Sequence, residues 1–89
     1  MAQIHFTQNL TRHVDCPSQE FEASTVAELL QRYFDERPDV RGFILDDQGQ
    51  VRKHVKVVVD GRNLRDRTRL SDALETDSEV YVFQALSGG

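Results

Sequence analysis

The apolar positions along the chain change their spacing several times, and each spacing predicts an element. Ile4 and Phe6 alternate with His5 and Thr7, which puts two apolar side chains on one face of a first strand. The stretch Val14-Asp15-Cys16-Pro17-Ser18 holds a proline that cannot donate to a ladder, so a turn is expected before a short second strand with Phe21 and Ala23 inward. Thr25-Val26-Ala27-Glu28 matches a capping box, and Val26, Leu29, Leu30, Tyr33 and Phe34 fall on one helical stripe. Glu28, Gln31, Arg32, Asp35 and Glu36 take the water-facing side, and Pro38 stops the helix by disfavouring helical geometry at Arg37.

After Val40 and Gly42 come Phe43-Ile44-Leu45, a polar turn at Asp46-Asp47-Gln48-Gly49-Gln50, and a strand on which Val55, Val57 and Val59 share a face. Asp60-Gly61 signals the next turn. Leu64, Leu70 and Leu74 are spaced too irregularly for a regular element; they read as single contacts pinning a long loop to the core. Glu79-Val80-Tyr81-Val82-Phe83-Gln84 alternates again and is the last strand. This order predicts an α+β fold, a mixed sheet of four to five strands covered on one face by one main helix. Ile4, Phe6, Val57, Val80 and Val82 are then expected to meet Val26, Leu30 and Phe34 in the core.

With 89 residues there is material for one core only, so residues 1–84 are expected to form one domain and residues 85–89 a flexible tail. An apolar share of 38% and a charged share of 29% are those of an ordinary globular domain. Met1-Ala2-Gln3-Ile4-His5-Phe6 has no basic region followed by a long apolar run, which predicts no signal peptide, no membrane span and a cytoplasmic location. The net charge of -4 argues against a nucleic-acid partner and for a protein partner. Arg62, Arg65, Arg67 and Arg69 form a local basic cluster that reads either as a docking patch or as a solvated loop partly neutralised by Asp60 and Asp66.

Candidate chemistry is sparse inside the domain. Cys16 is the only cysteine, so it forms no internal disulfide, and near His13 it lacks the third group that would orient a base toward a thiol. It reads as a half-buried side chain. Asp46, Asp47 and Gln48 lack the ligand spacing of a calcium loop. His5 and His54 read as outward strand positions, and no metal or bound cofactor is expected.

The sequence ends Ala85-Leu86-Ser87-Gly88-Gly89, close behind the patterned strand. Glycine lets an extended backbone pass through a narrow channel and approach a nucleotide closely. Ile4-His5-Phe6, the Thr25-Val26-Ala27-Glu28-Leu29-Leu30 helix start, Val57-Val58-Val59-Asp60-Gly61 and Glu79-Val80-Tyr81-Val82-Phe83 before Gly88-Gly89 resemble the MoaD/ThiS family of ubiquitin-like sulfur carriers. The resemblance implies the β-grasp fold and no catalysis by the chain itself. It implies that a ubiquitin-activating-type enzyme adenylates Gly89 with its own ATP and Mg. A sulfur donor then converts Gly89 to a thiocarboxylate, which a downstream synthase consumes. Gly88, Ser87 and Leu86 would enter the partners' active sites with it.

Gln84 and Ser87 replace the proline and alanine common at the family's ending, and Gln-Ala-Leu-Ser-Gly-Gly resembles the tail of the ubiquitin-related modifier. Two other readings are therefore carried: a protein modifier joined through Gly89 to lysines, and a ubiquitin-like interaction domain with an incidental diglycine.

Overall fold

The computed structural model describes residues 1–7, 11–12 and 14–84. Strands β1 (Ala2–Phe6), β2 (Gln19–Phe21), β3 (Val55–Val59), β4 (Arg62–Asn63) and β5 (Glu79–Gln84) form one sheet in the order β2-β1-β5-β3-β4. The last strand is central. It pairs parallel with β1, Ile4 opposite Val80 and Phe6 opposite Val82, and antiparallel with β3, Val57 opposite Val82 and Val55 opposite Gln84. The other pairs, β1 with β2 and β3 with β4, are antiparallel.

Helix α1 (Val26–Glu36) begins where the capping box predicts: Thr25 Oγ1 accepts from the Glu28 amide at 3.1 Å. Glu28 Oε1 reaches back to the Ser24 amide at 2.6 Å, one residue before the usual capping-box donor. The stripe Val26, Leu29, Leu30, Tyr33 and Phe34 is buried against the sheet.

A second helix, α2 (Pro38–Ile44), occupies a stretch whose residue spacing predicts no regular element. Pro38 does end α1, with Arg37 at φ -135° and ψ 71°, but it also starts α2 as its first residue. There its missing amide is harmless and its fixed φ is favourable. Val40 and Ile44, four apart, turn the same face into the core.

The core collects Ala2, Ile4, Val57, Val80 and Val82 from the sheet with Val26, Leu29, Leu30 and Phe34 from α1. Phe6 and Phe21 pack at its edge against Tyr33, with ring centroids 4.9 and 6.2 Å away. Tyr33 lies wholly inside and donates its hydroxyl to the Pro17 carbonyl at 2.8 Å, so its polar end is satisfied.

The remaining turns follow from side-chain chemistry. Asp60 and Gly61 both have positive φ, 50° and 83°, and join β3 to β4 as a two-residue hairpin of the kind that matches strand twist. Asp46 Oδ1 accepts from the Gln48 and Gln50 amides at 2.9 and 3.0 Å, closing the predicted turn with Gly49 at φ 82°. Leu64 and Leu70 are buried and Leu74 packs against the core, as single contacts along a loop.

Candidate functional site: the open sheet face and the base of the diglycine segment

The helices cover one face of the sheet. The other face carries Gln3 and His5 from β1, Glu79, Tyr81 and Phe83 from β5, and Lys56 and Val58 from β3, because successive side chains alternate across a strand. Tyr81 is 40% exposed and Phe83 38%, two large rings on the central strand. The register places Val58 beside Tyr81 and Lys56 beside Phe83.

His5 organises the middle of this face. Its ring stacks on Tyr81 with centroids 4.7 Å apart and planes 26° from parallel. Nδ1 lies 2.9 Å from the Ser18 hydroxyl, which orients the ring from the β1–β2 connection, and Nε2 lies 3.3 Å from Glu79 Oε1 on β5. Tyr81 and Phe83 continue the row, 6.4 Å apart. The row runs along β5 toward Gln84.

Gln84 is the last described residue, and its approach is held from both sides. The Thr7 amide donates to the Val82 carbonyl at 3.1 Å on the β1 side, and Val55 pairs with Gln84 on the β3 side. The segment after Gln84 therefore starts from the middle of the sheet rather than from an edge. The predicted site residues Leu86, Ser87, Gly88 and Gly89, together with Ala85, lie outside the described residues.

Other candidates resolve differently. Cys16 is only 3% exposed, more buried than its sequence position suggests, because it joins the core cluster that holds Tyr33. Burial, and secondarily the Asp15 charge, push its thiol pKa up, against the nearby Arg37 guanidinium. Such a thiol is a poor nucleophile. His13 lies outside the described residues. Among the described residues no group of three or more His, Cys, Asp or Glu could hold a metal ion. Among them, too, no helix is long and apolar enough to cross a membrane.

The aromatic row was legible only in part. Alternation marks Tyr81 and Phe83 as opposite in facing to Val80 and Val82. It does not tell that the opposite face is open, which depends on both helices packing on the same side.

A five-stranded mixed sheet with parallel first and last strands at its centre, one face covered by helices, defines a ubiquitin-like β-grasp protein. The profile of the ThiS family matches residues 7–89, and the chain belongs to that family. No curated protein matches it significantly. Among solved structures it is similar to SAMP1 from Haloferax volcanii, at 19% identity and a TM-score of 0.82 over 99% of this chain and 98% of that one. A chain of the Amycolatopsis orientalis BexX/CysO complex aligns at 16% identity and a TM-score of 0.82 over the whole of both chains. Mycobacterium tuberculosis CysO, an antigen, aligns at 15% identity and a TM-score of 0.80 over 97% of this chain and 100% of that one.

Proposed function

We propose that this member of the ThiS family is a sulfur carrier. Its Gly89 carboxylate is adenylated by a ubiquitin-activating-type enzyme using Mg-ATP. A sulfur donor then displaces AMP to leave a thiocarboxylate, whose sulfur is handed to a biosynthetic enzyme. The single observation that supports this most is the junction of family and fold: the family match runs through Gly89, and the strand leading there is the central one. A central strand hydrogen-bonded on both sides sets the direction in which a short segment leaves the sheet.

The chain is a co-substrate in this reading, and no residue of the domain performs a chemical step. Its work is presentation. The open face carrying His5, Tyr81 and Phe83 is the docking surface for the activating enzyme, since exposed aromatic rings on a rigid strand are the residue types that anchor interfaces. Leu86 is the first anchoring side chain of the tail, and Ser87, Gly88 and Gly89 enter the active site. A test is enzyme-dependent exchange of pyrophosphate into ATP, expected to require the chain and to be lost when Gly88 and Gly89 are removed. Exchange that persists without them would contradict the assignment of the adenylated atom.

The second reading, a modifier conjugated to lysines, shares the adenylate and differs in what captures it. Similarity to SAMP1, a small archaeal modifier protein, favours keeping it in view. Conjugation would leave Gly-Gly remnants on lysines of partner proteins after trypsin.

A further inference from the structure

The side of the molecule away from the open sheet face carries a second recognition feature. A cleft of about 310 Å3 lies where α1, α2 and the 46–50 and 66–70 turns meet. Leu30 and Phe34 of α1, with Leu45 and Leu70, form its apolar floor, and Arg41 of α2 and Arg69 of the loop stand at its rim.

The loop is built so that its arginine stays free. Asp66 accepts from the Thr68 and Arg69 amides at 3.1 and 2.9 Å and from the Ser71 hydroxyl. Asp72 accepts from the Arg65 and Asp66 amides at 2.9 Å each. Asp66 and Asp72 thus hold the loop's amides and the Ser71 hydroxyl, and among the described residues neither forms an ion pair with a loop arginine within 4.0 Å.

Arg67 also belongs to the scaffold, donating to the Arg52 and Val55 carbonyls at 2.7 and 2.8 Å. The loop is fastened to α1 as well, since the Leu70 and Asp72 carbonyls accept from the Ala27 and Val26 amides at 2.8 and 3.0 Å.

Two features at the cleft are otherwise unaccounted for. Among the described residues, no carboxylate lies within 4.0 Å of the Arg41 or Arg69 guanidinium. Asp35, the one carboxylate that lines the cleft among the described residues, accepts from Gln31 Nε2 at 2.9 Å. Leu70 has φ 58°, a left-handed conformation that is unfavourable for an L-residue with a side chain. Such strain is held where the surroundings over-determine it, and here it sets Leu70 in the floor beside Arg69.

We propose that this cleft docks a short acidic segment of a partner protein, one aliphatic side chain resting on Leu70 and Phe34 while flanking carboxylates pair with Arg41 and Arg69. Guanidinium groups suit carboxylates because their planar donors can pair bidentately. The neighbouring basic region around Arg62 and Arg65 fits less well, because Asp60, Asp72 and Glu75 line the same hollow and cancel its charge. The cleft is on the helix side, so its occupant leaves Tyr81 and Phe83 on the open sheet face accessible. A carrier held here can be charged without being released. The proposal stands on the cleft and holds whether the chain carries sulfur or modifies proteins.

The test is an NMR titration of the full isotope-labelled chain with a capped Asp-Leu-Glu-Asp peptide. Saturable shifts are expected at the Arg41 and Arg69 Nε–H groups and the Leu45 and Leu70 methyls. Arg41→Glu or Arg69→Glu should weaken the peptide about tenfold, the size of one lost charge-assisted hydrogen bond, while Arg12→Glu changes nothing. Both are exposed positions, and the amide spectrum reports whether each variant stays folded. Replacing the peptide's leucine by alanine should weaken it too. Shifts that fail to saturate and spread over Arg12, Lys53 and Lys56 would overturn the proposal. So would tighter saturable binding of a single-stranded oligonucleotide of equal charge at Arg41 and Arg69.

Discussion

Ser78 donates its hydroxyl to Asp60 Oδ2 at 2.7 Å, tying the β3–β4 hairpin to the residue that precedes β5. Ser78 Oγ also accepts from the Glu75 amide at 2.7 Å, and Asp60 Oδ1 accepts from the Glu79 amide at 2.9 Å. Ser78 is 1% exposed, so its hydroxyl depends on these partners rather than on water. It fixes where the central strand begins, and so the register that ends with Gln84 opposite Val55.

Ser78→Ala removes two of these bonds and leaves the Glu75 amide without its partner. The cost is expected to be about 1–3 kcal/mol. Urea denaturation checks the stability loss, and hydrogen exchange at Glu79 and Val80 should speed up. An unchanged urea midpoint would show that this network does not hold the strand.

Asp66 makes stability depend on acid. Its carboxylate accepts from the Arg69 amide first, then from the Ser71 hydroxyl and further amides, which lowers its pKa from the ordinary 3.8 to about 2. A folded-state pKa below the unfolded one means that the contribution is fully present above about pH 4 and is lost as the pH falls toward about 2. Denaturant midpoints measured from pH 6 to 2 should therefore fall across that window, and less steeply in Asp66→Asn. Equal slopes in the two proteins would contradict the assignment.

Much of this architecture was legible in the sequence, for reasons tied to particular residues. The stripe from Val26 to Phe34 and the Thr25 cap each carry a periodic or chemical signal, and both lie where expected. The alternation in 79–84 fixed the strand and its inward valines. Strand β4 leaves no pattern, because its two exposed residues, Arg62 and Asn63, carry no alternation. Helix α2 is hidden because a proline that ends one helix looks the same as one that starts the next. Ala23 packs inward as expected but lies beyond β2, which ends at Phe21. The cleft at Arg41 and Arg69 was not readable, since its parts come from segments far apart in the chain.

The buried thiol gives a simple check on the claim that the domain is not catalytic. Native alkylation of Cys16 by iodoacetamide should be slow and should accelerate when denaturant is added, because burial both hides the thiol and disfavours its thiolate. Cys16→Ala should leave charging of the chain unchanged. A large loss of charging in a folded Cys16→Ala protein would reopen the catalytic reading.

The open face should matter for charging and little for folding. Tyr81→Ala or Phe83→Ala is expected to lower kcat/KM for adenylation about five- to thirtyfold, the range of a central interface anchor losing 1–2 kcal/mol, mainly through KM. Thermal denaturation controls for stability. Equal kcat/KM in a folded double variant would move the docking surface elsewhere.

The central claim is that Gly89 carries sulfur, and the intact mass of the chain tests it most directly. The protein is incubated with a ubiquitin-activating-type adenylating enzyme, Mg-ATP and a sulfur donor, beside a variant lacking Gly88 and Gly89. The account predicts a gain equal to exchanging one oxygen for one sulfur, located to Gly89 by fragmentation and absent in the variant. An unchanged mass, with an enzyme that demonstrably forms the Gly89 adenylate, would contradict it.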